Sequence, residues 1–227
     1  MTTTVELRPQ VALSLRRAPL IGVVRTGSFE EAARQARLFA ESGIELVEIT
    51  FTVPDATKLV RELLAKRSAG GHGDKPAGPP WFGMGTVSTA ARAREAVAAG
   101  AEFLVSPNVS SDVARIARGA GLFLVLGALT PTEVVAAHEL GADIVKVYPL
   151  PPVGGPSYLS VLRQPLGDIP MLAAGGFGVE DINDYARAGA VAFGMGAPLL
   201  GADDEETRGR IARALAMAQT WVGKDER

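Results

Sequence analysis

The stretch "HELGADIVKVYP", residues 138–149, decides how this chain is folded. A helix-compatible run closes on Gly141, and β-branched residues open a strand within three positions. Glycine there suits the left-handed residue that ends a helix. The run after it suits a strand buried on both faces. The same join recurs as "FAESGIELVEIT", "AVAAGAEFLVS", "ARGAGLFLVLG" and "ARAGAVAFGMG".

Working outward from these joins, strands are expected at 19–25, 45–51, 81–85, 102–106, 122–126, 143–148, 170–174 and 191–195. Helices are expected at 28–42, 55–68, 89–99, 110–119, 131–140, 156–164, 179–188 and 203–222, with an extra N-terminal helix over 7–17. Ser28, Asp55, Ser110 and Thr130 stand where N-caps belong, and Ser28 has Glu31 at capping-box spacing. Strict alternation predicts an α/β fold, a (β/α)8 TIM barrel with residues 1–227 as a single domain. A doubly wound open sheet alternates in the same way and is the competing architecture. Residues 68–80, "SAGGHGDKPAGPP", read as a flexible surface connection.

Composition narrows the function. The 227 residues are 47% hydrophobic, enough for one large core, and the net charge of −2 points to neither a nucleic-acid nor a membrane partner. With no cysteine, disulfides, thiolate metal sites and cysteine nucleophiles are excluded. Glu6, Arg8, Arg16 and Arg17 break up the N-terminal apolar residues, so no signal peptide is expected. No apolar run reaches the length of a membrane span. A soluble, cytoplasmic protein is the expectation. His72 lies in the glycine-rich connection and His138 near a helix end, and no cluster has metal spacing, so neither metal nor cofactor is expected.

Strand side chains alternate between the barrel interior and the helix layer. In "ELVEITF", Val47, Ile49 and Phe51 share the helix-facing side, leaving Leu46, Glu48 and Thr50 inward. In strand 6, Ile144, Lys146 and Tyr148 share one face. Strand 1 ends in Arg25. An acid, a lysine and an arginine thus lie toward the C-terminal strand ends, where active sites of such barrels are built. A strand-end lysine also snorkels to solvent, and a Glu–Lys pair inside a barrel can be purely structural. The inventory weighs against both. Of Lys58, Lys66, Lys75, Lys146 and Lys224, only Lys146 is set in an apolar strand.

Burial disfavours the charged form of an amine, and a neutral amine attacks carbonyls to form a Schiff base. A carboxylate beside it, Glu48, can then move protons. That is the minimal equipment of a lysine-dependent aldolase. "AAGGFG" (173–178) and "GMGAPLLG" (194–201) end strands 7 and 8, the usual phosphate site of these barrels. "GMGTV" (83–87) brings Thr86 to the same rim.

"VEIT", "GMGTV", "VSPN", "KVYP" and "AAGGF" follow one another at successive strand ends. In that order, over residues 15–200, the chain resembles the 2-keto-3-deoxy-6-phosphogluconate / 4-hydroxy-2-oxoglutarate aldolases and their relatives acting on 2-keto-3-deoxy-6-phosphogalactonate. The resemblance implies a metal-free TIM-barrel lyase, commonly a homotrimer, that releases pyruvate and glyceraldehyde 3-phosphate. It implies Lys146 as the Schiff-base lysine and Glu48 as general acid/base. Thr86 and Pro107 would line the pyruvate end, while Gly175, Gly176, Gly196 and Ala197 would hold the phosphate. Departures are visible. Thr52 stands where many members carry the arginine for the substrate carboxylate, and Arg25 is the expected substitute. Tyr148 replaces a common phenylalanine, and Ala197 a common serine. Rival expectations are another phosphate-binding barrel enzyme (epimerase, isomerase or decarboxylase) and a non-catalytic barrel that binds a phosphorylated metabolite.

Overall fold

The structure is a computed structural model that describes residues 7–69 and 78–222. Its strands are β1 (Leu20–Val24), β2 (Leu46–Thr50), β3 (Trp81–Gly85), β4 (Phe103–Val105), β5 (Phe123–Ala128), β6 (Ile144–Val147), β7 (Met171–Ala174) and β8 (Ala192–Met195). All pair in parallel with their sequence neighbours, and β1 pairs with β8 through Leu20–Phe193, Ile21–Gly194 and Gly22–Met195. That last pairing closes the barrel and removes the open-sheet alternative. Helix α1 (Leu7–Arg17) precedes the barrel. Then α2 (Phe29–Glu41), α3 (Ala56–Ala69), α4 (Ala90–Ala98), α5 (Ser111–Gly119), α6 (Pro131–Glu139), α7 (Pro156–Arg163), α8 (Ile182–Arg187) and α9 (Asp204–Gln219) follow the eight strands in turn.

The recurring helix–glycine–strand join has one structural basis. Gly43, Gly100, Gly121, Gly141 and Gly189 all have positive φ. The N–H after each returns to a carbonyl five residues back: Ile44 to Phe39, Ala101 to Ala96, Leu122 to Ala117, Ala142 to Ala137 and Ala190 to Tyr185. This is a Schellman cap used five times, and it sends the chain directly into the next strand.

Two separate cores follow from the period-2 alternation. Val47, Ile49, Val145 and Val147 pack outward in the strand–helix layer. Leu46, Trp81, Phe103, Phe123, Ile144 and Leu172 fill the barrel, where Val11 and Leu15 of α1 join them. The indole Nε1 of buried Trp81 donates to Ser14 Oγ of α1 at 2.9 Å, which fixes this helix under the barrel.

On the underside, acids that precede strands are paired with arginines. Glu45, Glu102 and Asp143 stand just before β2, β4 and β6, and each is ion-paired: with Arg17, Arg67 and Arg8, at 2.6 Å in every case. Glu102 binds Arg67 through both oxygens and also accepts from the Phe82 N–H, all nearly out of solvent.

Several element limits move. Arg25 falls just past β1 rather than ending it, β5 runs on to Ala128, and the eighth helix divides into a 3-10 turn over Val179–Asp181 followed by α8. Ser28 Oγ accepts from Glu31 N–H, but the Glu31 carboxylate turns to Arg34, so only half of the expected box forms. The complete capping box belongs to Thr130 and Glu133. Asp55 has φ +52, not the extended backbone of an N-cap. His138 is exposed on α6, as expected. Most of the 68–80 connection, with His72, lies outside the described residues, as do Lys75 and Lys224.

Candidate active site

A pocket of about 310 Å³ opens at the C-terminal end of the barrel. It is walled by Val23, Arg25, Lys146 and Tyr148 on one side, with Gly175, Gly176, Gly196 and Ala197 from the loops after β7 and β8 on the other. The sequence-derived candidates Arg25, Lys146, Tyr148, Gly175, Gly176, Gly196 and Ala197 therefore share one cavity. Glu48, Thr86 and Pro107 are not in its wall: Thr86 touches Arg25, Glu48 feels the charges of Lys146 and Arg25, and Pro107 packs on Gly127, which pairs with Lys146.

Lys146 is half-buried, its Nζ 5.3 Å from the centre of the Tyr148 ring, a cation–π distance. Among the described residues, no ion pair within 4.0 Å involves Lys146, Glu48 or Arg25. The purely structural Glu–Lys pair is therefore not what the structure forms. The contrast with the underside is direct: acids before the strands are neutralised by arginines, while charges at the strand C-termini are left available.

Of the two groups, Glu48 is buried more deeply than Lys146. Glu48 is 2% exposed. Burial pushes its carboxyl above the usual range, and the charges of Lys146 and then Arg25 pull against that shift without cancelling it. Room for this carboxyl comes from Gly85, since a Cβ there would lie 1.7 Å from Glu48 Oε1. Gly85→Ala should lower stability by about 1–3 kcal/mol through overpacking. Urea denaturation reads this directly, and an unshifted midpoint would mean that the acid has another seat. Gly127, paired with Lys146 across β5 and β6, plays the same part for Pro107, whose carbonyl oxygen would be 2.3 Å from an added Cβ.

Arg25 is exposed and makes two long contacts, Nη1 to Thr52 Oγ1 at 3.5 Å and Nη2 to Thr86 Oγ1 at 3.4 Å. Thr52 is itself 2.7 Å from Thr50 Oγ1, which contacts the Val24 carbonyl at 3.0 Å. The guanidinium thus reaches the neighbourhood of position 52 from β1, held loosely enough to receive a carboxylate fork. Thr86 has φ +59, a strained conformation for a β-branched residue. Arg92 secures it by donating to the Thr86 carbonyl at 3.1 Å and to Ser88 Oγ at 3.2 Å, with its guanidinium 5.3 Å from the Phe51 ring centre.

The glycine loops are shaped for close approach. Gly175, at φ +134, is wedged against Pro149, Leu150 and Pro151, where a Cβ would clash. Gly176, at φ +90, has open space beside it. Of the wall residues that the sequence reading did not name, Gln35 of α2 is the one with a polar side chain. Its signal was a polar residue on the buried Ala32–Ala36–Phe39 stripe. Among the described residues, no group of three or more His, Asp or Glu side chains is placed to hold a metal, and no helix is long and apolar enough to cross a membrane.

The chain is similar to several known proteins. A "Probable 2-dehydro-3-deoxy-6-phosphogalactonate aldolase" of Rhizobium meliloti is 32% identical over 208 residues, 90% of this chain and 93% of its own. A 2-dehydro-3-deoxy-6-phosphogalactonate aldolase of Escherichia coli is 30% identical over 80% of this chain and 84% of its own. Among solved structures, a 4-hydroxy-2-oxoglutarate / 2-dehydro-3-deoxyphosphogluconate aldolase superposes with TM-score 0.77 at 29% identity, covering 91% of this chain and 98% of that one. A native KDPGal structure gives TM-score 0.78 at 27% identity, over 90% and 96%. The family model described as KDPG and KHG aldolase matches residues 11–214. With that match running from the helix under the barrel to the last helix outside it, the chain belongs to the KDPG and KHG aldolase family.

Proposed function

We propose that this protein is a class I, pyruvate-forming aldolase. Its substrate is a 2-keto-3-deoxy-6-phospho sugar acid of the phosphogluconate or phosphogalactonate type. The observation that carries the reading is a lysine free of any ion pair among the described residues, in one pocket with Arg25 and over a buried acid.

The Lys146 amine attacks the C2 ketone, and loss of water from the carbinolamine leaves a protonated imine. Glu48 takes the proton of the C4 hydroxyl, directly or through water. The C3–C4 bond breaks, its electron pair passing into the enamine and the former C4 leaving as the aldehyde carbon of glyceraldehyde 3-phosphate. Protonation at C3 and hydrolysis of the imine release pyruvate and restore the amine. A raised carboxyl pKa suits this role, because it makes the carboxylate a stronger base and its acid form available nearer neutrality. Arg25 pairs with the substrate carboxylate, steadied by Thr52 and Thr86. Thr86 and Pro107 bound the pyruvate end. Backbone N–H groups around Gly175, Gly176, Gly196 and Ala197 receive the phosphate. The resemblance implies a homotrimer, and the sequence reading puts the enzyme in the cytoplasm with the chain forming one domain.

Borohydride reduction in the presence of pyruvate tests the chemistry. The expected product is a reduced pyruvate adduct on the peptide that carries Lys146. An unmodified Lys146 would leave the lysine as an electrostatic partner and return the chain to the non-covalent phosphate-binding barrels.

A further inference from the structure

Gln35, a polar residue of the pocket wall, has no part in this chemistry. Gln35 sits on the buried face of α2 and is 2% exposed. It lines the pocket together with Val23 and with Gly196, Ala197 and Leu200 of the β8 loop, and its helix packs on β1, which pairs with β8, and on α9, which follows that loop. Its Oε1 is fully buried and, among the described residues, meets no hydrogen-bond donor. Buried side-chain amides are ordinarily satisfied, and leaving one end unpaired weakens the free protein. Methionine would fill the same volume without that penalty. The amide is therefore best explained by what enters the pocket.

The wall around it narrows the ligand. The cations lining the pocket are Arg25 and Lys146, which the aldolase reading assigns to the carboxylate and the ketone. The β8 end offers backbone groups and the Gln35 amide. A phosphorylated substrate brings to that end a hydroxyl, which can donate, beside a phosphate, which at neutral pH mainly accepts. A primary amide presents the complement: one acceptor oxygen and two N–H donors, interchangeable by rotation. We propose that Gln35 is a specificity-determining substrate-binding residue, its amide hydrogen-bonding the hydroxyl–phosphate end of the sugar acid. This rests on the aldolase reading.

The test is steady-state kinetics of Gln35→Met with a 2-keto-3-deoxy-6-phospho acid. KM should rise about tenfold with a smaller change in kcat, the value of one hydrogen bond to a charged group. A KM within about twofold of native overturns the assignment, since a merely structural amide would leave KM in place. Should Gln35→Met not fold, Gln35→Asn carries the test. The same amide drawn back by one methylene loses its reach, and an unmoved KM again overturns the proposal. Borohydride trapping of the native enzyme with pyruvate is read separately. No adduct sinks the aldolase reading itself, whereas an adduct with an unmoved KM removes only Gln35.

Discussion

Lys146→Met should lower cleavage on the order of 10⁴-fold or more and abolish the borohydride-trapped adduct, while the barrel stays folded. The size of the loss follows from the wall of the pocket. Its other cation is Arg25, and a guanidinium does not replace an amine in forming the imine. Lys58 and Lys66 lie on α3, with Lys58 Nζ 5.1 Å from the Phe29 ring centre, so neither stands in for the missing amine. Folding should survive because Lys146 is half-buried and, among the described residues, carries no ion pair whose loss would strand a partner charge. Methionine keeps the length and the apolar stem. Lys146→Arg separates covalent from electrostatic roles, since it keeps the charge and removes the nucleophile. If the arginine variant retained more than about a tenth of native kcat, a loss too small for a missing nucleophile, the lysine would be acting through its charge and the Schiff-base mechanism would fall.

The barrel was legible because one local device repeats. A helix end, a left-handed glycine and a strand leave the same trace each time, and all five glycines adopt that conformation. Which face each strand turns inward was legible too, because period 2 leaves no choice once one apolar face is recognised. Glu48 and Lys146 came out facing inward on that ground alone. How differently they are buried was not legible. That depends on Gly85, in the next strand, clearing space for the acid, and on the pocket opening beside the lysine. The underside ion pairs were hidden for a related reason. Arg17, Arg67 and Arg8 lie 28, 35 and 135 residues from their acids, and only tertiary packing brings them together. Asp55 shows the limit of residue-type signals: aspartate before a helix suggests a cap, yet its φ of +52 comes from the preceding turn. Gln35 could be seen as polar on an apolar stripe, but the pocket it borders is completed by residues far along the chain, after β6, β7 and β8.

Glu48→Gln should lower kcat about 10²–10⁴-fold, the usual worth of a positioned general acid–base. It should also raise stability at neutral pH. The amide keeps the shape and removes the titrating proton, so the two effects have separate causes. Burial first, opposed by Lys146 and then Arg25, holds the Glu48 carboxyl above the usual carboxylate range. Around neutral pH the unfolded chain has released this proton, while the folded chain ionises the group only at a penalty. A raised acid thus subtracts stability as pH climbs through its unfolded value toward its folded one, the reverse of an ion-paired carboxylate. Below the usual range both states are protonated and the penalty vanishes. Denaturant titrations should therefore show the glutamine variant more stable near pH 7, with the gap closing as the pH falls toward about 4. The same carboxyl sets the acid limb of kcat/KM, since cleavage needs it deprotonated, so that limb should lie above the usual carboxylate range. In the glutamine variant it should disappear. A variant that kept the native acid limb would take the proton transfer away from Glu48, and a stability gap independent of pH would mean that burial is not what raises this carboxyl.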